Sequence, residues 1–352
     1  MTDNDHIVFI SDGHLGLRFP YTTTGSQSRY LKMQLDALQS LLDLKGTKVI
    51  MGDLFHSFMP SALTLCQAFQ LLAGRRDVIV MAGNHDKSKT RTDSSGLVLL
   101  QQMLAEVGVG DVGEETVFVV NEPSIQYVNN TALYLIPHQL TQEMFDAAIA
   151  KASTFKDDSV KKILVLHCNQ GDFPGTQAEN YLSTEQLKTL SNFDKIISGH
   201  EHSAKTVANM VYPGSVVPCN FAEFGNRYLY TFDSVLWEEH VIPYNTIPGF
   251  PDFSFDRVPY EDFINPDLRG VHSKFTEVYG VVSPADSVKL TKRIVELLNS
   301  DFKIAIKPAV TIQANELAGQ APADLADVET WWDVVTSRLS QEGNTYLNTF
   351  AE

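Results

Sequence analysis

Five times along this chain a short apolar run halts at a side chain able to hold a cation. Ile7-Val8-Phe9-Ile10 precedes Asp12 and His14, Val49-Ile50-Met51 precedes Asp53, and Val78-Ile79-Val80-Met81 precedes Asn84. Ile163-Leu164-Val165-Leu166 precedes His167, and Ile196-Ile197 precedes His200 and His202. An apolar run of about four residues reads as a strand buried on both faces, and in open α/β sheets ligand-binding groups collect at the carboxyl ends of such strands. The pattern predicts one rim on which these donors converge.

Spacing supports the reading. In Asp12-Gly13-His14 the donors are two residues apart, so in extended backbone they point to the same side and can hold one ion, and His200-Glu201-His202 repeats the device. Gly52-Asp53 and Gly83-Asn84 put a residue without a side chain before the donor, which allows a tight turn. Asp53, with two carboxylate oxygens, is the natural bridge between two ions. Taken singly, an Asp after a strand is a turn residue or a helix cap and a His is a core or surface side chain. Taken together, D-x-H, G-D-x-x-H, G-N-H-D, H and G-H-x-H in fixed order point to two divalent metal ions. Oxygen and imidazole donors suit manganese, with iron or zinc as alternatives. Two cations roughly 3.5 to 4 Å apart can hold both an attacking hydroxide and the leaving oxygen of a phosphoester.

This constellation resembles the calcineurin-like metallophosphoesterases over residues 7 to about 220. The flanks are similar to a narrower group, the SbcD family of DNA nucleases: Ser11-Asp12-Gly13-His14-Leu15-Gly16, Gly52-Asp53-Leu54-Phe55-His56 with Pro60-Ser61, Tyr212-Pro213-Gly214-Ser215, and Phe221-Ala222-Glu223. Gly13 stands where that family commonly has Trp. The resemblance implies one metal on Asp12, His14, Asp53 and His202 and a second on Asp53, Asn84, His167 and His200. It implies His85 as the acid that protonates the leaving oxygen, Asp86 as its orienting group, and His56 as a residue that positions the phosphate or His85. The implied activity is a manganese-dependent exonuclease and endonuclease on double-stranded ends, hairpins or single strands, partnered by an SbcC-type coiled-coil ATPase in DNA repair, recombination or replication. A phosphatase or small-molecule phosphodiesterase on the same fold is the alternative, and a scaffold with an inactive site a third class, because fold and ligands alone do not select a substrate.

Alternating strands and helical stretches up to residue 245 predict an α/β sandwich of two mixed sheets flanked by helices. The expected helices are 27–44, 60–73, 94–107, 141–152 and 183–191, with successive strands across 205–242. Pro243, Pro248, Gly249, Pro251 and Pro259 punctuate the chain, which places a linker at 246–258. Residues 259–315 then read as a small α+β cap, with strands at 274–282 and 302–312 around a helix at 284–299. In the SbcD family the matching region caps DNA. Residues 316–352 hold a helical stretch with Val328, Trp331, Trp332, Val335 and Leu339 at helical spacing, the candidate ATPase docking helix. Leu63, Leu65, Phe69, Leu71 and Leu72, with Leu97, Leu99, Leu100, Met103 and Leu104, fall on helices that the resemblance assigns to a homodimer contact.

The formal net charge of −16 runs against a polyanion-binding role, since affinity for DNA comes chiefly from Lys and Arg. Local basic groups offset it: Lys87, Lys89 and Arg91 follow the G-N-H-D motif, and Lys289, Lys292 and Arg293 cluster on the expected cap helix. His6, His138, His240 and His272 lack a partner at ligand spacing and read as structural or surface residues. Cys66, Cys168 and Cys219 form neither a zinc motif nor a disulfide framework, and alternation turns Cys168 away from the face of His167. No apolar stretch nears the ~20 residues needed to cross a bilayer, and Met1 leads through a polar start into a strand. The expected setting is therefore the cytoplasm, without a membrane partner, and the short cap would suit a viral replication system working in a host cytoplasm.

Overall fold

The computed structural model of the chain describes residues 5–88, 95–107, 117–171, 179–265, 273–300 and 303–312. In chain order the first elements are β1 (His6–Ile10), α1 (Thr24–Leu42), β2 (Thr47–Met51), α2 (Ala62–Leu72), β3 (Val78–Met81), α3 (Gly96–Val107) and β4 (Val117–Val120). There follow β5 (Ser124–Val128), β6 (Thr131–Ile136), α4 (Gln142–Ser153), β7 (Lys161–His167), β8 (Asn169–Gln170), β9 (Tyr181–Leu182) and α5 (Thr184–Thr189). The next run is β10 (Lys195–Gly199), β11 (Lys205–Val207), β12 (Met210–Tyr212), β13 (Tyr228–Asp233) and β14 (Glu238–Pro243). The last is β15 (Phe255–Pro259), α6 (Tyr260–Ile264), β16 (Phe275–Val282), α7 (Pro284–Leu298) and β17 (Ala305–Ile312).

Two six-stranded mixed sheets form the sandwich, in the orders β14-β13-β1-β2-β3-β4 and β11-β12-β10-β7-β6-β5. Alternation decides what each strand residue does. Ile7, Phe9, Val49, Met51, Ile79 and Met81 of the first sheet meet Leu133, Leu135, Ile163, Val165 and Ile197 of the second in a shared core. The intervening residues of the second sheet, Tyr134, Ile136, Leu164 and Leu166, pack on Phe145, Ile149 and Ala152 of α4 and Leu187 of α5. Each fully buried Val, Leu, Ile, Phe or Met among these contributes about 1.5–3 kcal/mol. The helices start where the chain supplies caps: Thr141 accepts from Met144 N, and Ser183 with Gln186 forms a capping box at α5.

The parallel strands position the site. β1, β2 and β3 run in one direction in the first sheet, and β7 and β10 do so in the second. Their carboxyl ends lie level, with Ile10 beside Ile50, Met51 beside Met81 and Gly199 beside His167. Of the expected strand region 205–242, β11 to β14 are strands, and residues 213–227 form an irregular loop.

The chain divides into two compact units, Met1–Leu17 with Met33–Pro251 and Arg18–Lys32 with Asp252–Glu352. In the second, β15, β16 and β17 form a parallel sheet whose core joins Val278, Val282 and Ile306 to Phe263 of α6 and Leu290, Ile294 and Leu298 of α7. Phe19 and Tyr30 pack on Phe275, and Arg29 donates to the carbonyls of Leu298 and Lys303 at 2.9 and 3.0 Å. β15 is an addition to the expected cap: it occupies residues that the prolines mark as linker, because its five residues carry too short a pattern to read and its partner β16 lies far along the chain. Residues 313–352, which include the expected docking helix, lie outside the described residues. No described helix is long and apolar enough to cross a membrane.

Candidate metal centre

Strained turns carry the donors. Among the described residues nine non-glycine residues have positive φ, and Asp12, His14, Asp53 and His200 are four of them, at 46°, 43°, 51° and 83°. Such backbone is costly and persists where surrounding contacts impose it. Gly52, at φ 104°, lies so close to the ring of His167 that a Cβ would strike Nδ1, and a Cβ on Gly83 would run into the Asp53 carboxylate. The two glycines admit a donor brought in from elsewhere.

Donor atoms from both sheets meet at the rim. Asp53 Oδ2 lies 3.8 Å from His14 Nε2 and 3.5 Å from His167 Nε2. Asn84 Oδ1 lies 2.9 Å from His167 Nε2 and 3.1 Å from His200 Nδ1. His14 Nε2 faces His202 Nε2 across 3.0 Å. Both oxygens of Asp12 accept from His200 N, at 3.2 and 3.0 Å, and Ser11 Oγ donates to Oδ2, so this carboxylate ties the first sheet to the second. Among the described residues, three groups of donors fall within 4.8 Å of one another: Asp12, Asp53 and His167; His14, His202 and Cys219; and His14, His56 and His85.

The chemistry of these contacts fits divalent cations. His167 Nδ1 lies 2.8 Å from the Met51 carbonyl, and donation there leaves the lone pair of neutral His167 on Nε2, facing two oxygens. His202 Nδ1 is engaged by Glu223 Oε2 at 3.1 Å, which likewise turns the lone pair of neutral His202 toward His14. Lone pairs so opposed require a proton or a cation between them. In the cation-free chain protons serve. Burial opposes charge on His167, but the Asp53 carboxylate raises it to about 9, and for His202 the bond to Glu223 overcomes burial and gives about 9. His14 is driven well below its ordinary value by burial. Burial works against the charge of Asp53 too, yet His167 and His14 hold its carboxyl below the usual range. Asp12, His14, Asp53, Asn84, His167, His200 and His202 are drawn together at this rim, a donor set able to hold divalent cations.

His85 and His56 stand beside this cluster. Their rings stack with centroids 5.0 Å apart, and His85 Nδ1 faces the backbone oxygen of His56 at 2.8 Å. The His14 ring lies edge-on to both, at 5.4 Å from His56 and 5.0 Å from His85. Asp86 is directed elsewhere: its oxygens accept from Leu54 N, Phe55 N and Gly83 N at 3.2, 2.9 and 3.0 Å, bracing the turn after β2 against the turn after β3. Burial and the charge of Asp53 raise Asp86 to about 6.

The basic residues are placed less directly. Lys87 Nζ donates to the Asn121 carbonyl over 2.6 Å, and Lys89 and Arg91 lie outside the described residues. On α7, Lys289 pairs with Asp286 at 2.8 Å and Arg293 approaches Glu296 at 3.8 Å, while Lys292 shares the helix. Three residues reach the centre without having been assigned a role from the sequence. Glu223, quoted above only as part of a motif flank, binds His202, Glu179 Oε2 lies 3.8 Å from His200 Nε2, and the Cys219 thiol lies near His14 and His202. Loops bring all three in, and loop paths leave no periodic signal. His138 is buried and, by burial and proximity to His167, lowered to about 3. Cys168 is buried in the outer core beneath α4 and α5.

A sandwich of two mixed sheets with oxygen and imidazole donors on one rim defines a metal-dependent hydrolase of phosphoesters. Residues 6–204 match the model of the calcineurin-like phosphoesterase family, and the chain belongs to that family.

Proposed function

We propose that this phosphoesterase is a manganese-dependent DNA nuclease of the SbcD type, cutting phosphodiesters as an exonuclease and endonuclease at double-stranded ends, hairpins or single strands. One ion would be held by Asp12, His14, Asp53 and His202, and the other by Asp53, Asn84, His167 and His200. Bound there, the pair supplies positive charge to the phosphoryl oxygens and the means of ionising water at neutral pH.

The observation that carries the reading is the stacked pair His56 and His85 beside the donors. A sugar oxygen leaves a phosphodiester as a poor leaving group unless an acid protonates it. With Nδ1–H given to the His56 carbonyl, it is the doubly protonated ring of His85 that can offer a proton on Nε2 to the leaving oxygen. His56, which burial and the neighbouring His85 hold below its ordinary value, sets an uncharged ring beside His85 that does not repel the phosphate. The ordering of His85 comes from its own backbone bond to Asp53 and from this stacking, and Asp86 supports it through the turns.

The partner proposals extend from here. DNA would be gripped by Lys87, Lys89 and Arg91 near the rim and by Lys289, Lys292 and Arg293 on α7. Of the residues read for a dimer contact, Leu72, Leu97 and Leu100 are buried within the chain itself, and a second copy would cover the exposed Leu63 and Leu99 together with Phe58 and Met59, which are 62%, 40%, 41% and 51% exposed. An SbcC-type coiled-coil ATPase would dock on residues 316–352 and supply the DNA affinity that a chain of net charge −16 lacks. Repair, recombination or replication of DNA is the setting for such a pair.

A second reading, a metallophosphatase or small-molecule phosphodiesterase, is favoured by that acidity and by the engagement of Lys87 with a carbonyl and Lys289 with Asp286. One assay separates them: purified chain with Mn2+ on double-stranded DNA, a DNA hairpin, single-stranded DNA and a small phosphomonoester. Cleavage of DNA is expected. Turnover of the monoester with intact DNA would replace the nuclease reading by the second.

A further inference from the structure

Glu223 lies on the loop 213–227, outside every strand and helix, yet its carboxylate is held from three sides. Oε2 accepts from His202 Nδ1 over 3.1 Å and from the backbone N–H of Cys219 over 2.7 Å, and Oε1 accepts from Asn220 Nδ2. Three donors leave this carboxylate one orientation.

An imidazole offers a cation one nitrogen at a time, and the bond made by the other nitrogen decides which. With Nδ1–H committed to Glu223, His202 must direct the lone pair of Nε2 toward His14 Nε2, 3.0 Å away. Without that commitment the ring is free to rotate or to exchange its proton and present N–H to the ion. The other histidine of the same motif is differently served. His200 faces Asn84 through Nδ1, and Glu179, which accepts from Asn169 Nδ2 at 3.0 Å, stands 3.8 Å from its Nε2, beyond hydrogen-bond distance.

We infer that Glu223 is a positioning residue that locks His202 in the orientation and tautomer needed to hold the ion shared with His14, so that its loss weakens one ion of the pair and spares the other. The inference rests on the two-ion reading given above.

The test is a Mn2+ titration of the full chain, following free Mn2+ by its paramagnetic resonance signal, for wild type, E223A, E223Q and E179Q, alongside thermal melts in a chelator. Wild type should bind two ions. E223A should bind one of them about 10- to 100-fold more weakly and the other within about twofold of wild type. E223Q, isosteric and still able to accept from Nδ1–H, should lie between them, and E179Q should match wild type. At pH 10, above the range in which the His202–Glu223 ion pair stabilises the cation-free fold, the chelated E223Q protein should melt within about 2 °C of chelated wild type, which a residue needed only for folding would not do.

Two ions bound by E223A and E223Q with wild-type affinities would overturn the inference and leave the two-ion reading standing. Equal weakening of both ions with a matching fall in the chelated melt would also overturn it, in favour of a role in folding alone. A wild-type chain that bound no Mn2+ would remove the two-ion reading itself and the inference with it.

Discussion

The backbone N–H of His85 donates to Asp53 Oδ1 over 2.8 Å, so the proposed proton donor and the proposed bridging carboxylate are joined by a bond that the His85 side chain does not make. Removing the ring should leave the metal centre assembled. H85A is therefore expected to bind Mn2+ as wild type does and to cut DNA about 10²- to 10⁴-fold more slowly. D53N, by contrast, should lose metal binding and cleavage together. A cleavage rate for H85A within a few-fold of wild type would end the assignment of the acid.

Gly83 gives a steric test of the same turn. A methyl group there meets the Asp53 carboxylate and its backbone nitrogen, neither of which can retreat without moving the turn after β2. G83A should cost about 1–3 kcal/mol in a urea melt and abolish Mn2+ binding. Wild-type affinity in G83A would mean that the two turns are not packed as described.

Protons and cations compete at the rim. His167 and His202, each raised to about 9, are protonated at pH 7 when no cation is bound, against an ordinary value near 6.5. A raised folded-state value stabilises the cation-free fold fully below about 6.5, and the contribution fades as pH climbs through about 9. Chelated protein should accordingly lose melting temperature between pH 7 and 9, with the metal-loaded protein holding steady. Metal binding at pH 7 should also release protons, read as a dependence of calorimetric heat on the ionisation enthalpy of the buffer. Equal pH dependence with and without metal would count against the cluster.

Lys303 makes the opposite case in the second unit. It is fully buried, donates to the Ser273 carbonyl and to Thr276 Oγ1, and burial lowers it to about 8. The unfolded chain then binds the extra proton more tightly, so stability should rise as pH goes from about 8 toward 10.5. K303M should flatten that rise relative to wild type in denaturant melts taken at pH 8 and 10. An unchanged slope would mean that the ammonium group is solvated.

The apolar patch around α2 and α3 makes a prediction about assembly. Leu63, 62% exposed, is its most open residue, and L63E should turn a dimer into a monomer in sedimentation while leaving metal binding intact. A monomeric wild type would remove the homodimer proposal.

Much of the rim could be read from the chain alone because each donor ends a buried strand or comes within a few residues of its end, and local pattern sets where such a strand ends. Asp12, Asp53 and Asn84 are legible in this way from β1, β2 and β3, and His167 and His200 from β7 and β10. Cys168 followed the same logic, since alternation alone turns it from the side of His167 into the outer core. Glu223, Glu179 and Cys219 were not legible as site residues, because long-range packing of loops brings them in. Asp86 shows a subtler limit. Its place next to His85 suggested a partner for that ring, whereas the unmet N–H groups of two neighbouring turns claim the carboxylate. β15 was hidden for a related reason: a five-residue parallel strand finds its partner far along the chain.

Asp12, Asp53 and Asn84 reach the rim from one sheet, and His167, His200 and His202 from the other. Occupancy by ions is thus possible only after both halves of the sandwich have formed and closed in register. The ions would act as a clasp across a seam, so a chain damaged in either half, however far from the rim, should betray itself first by failing to keep its metal.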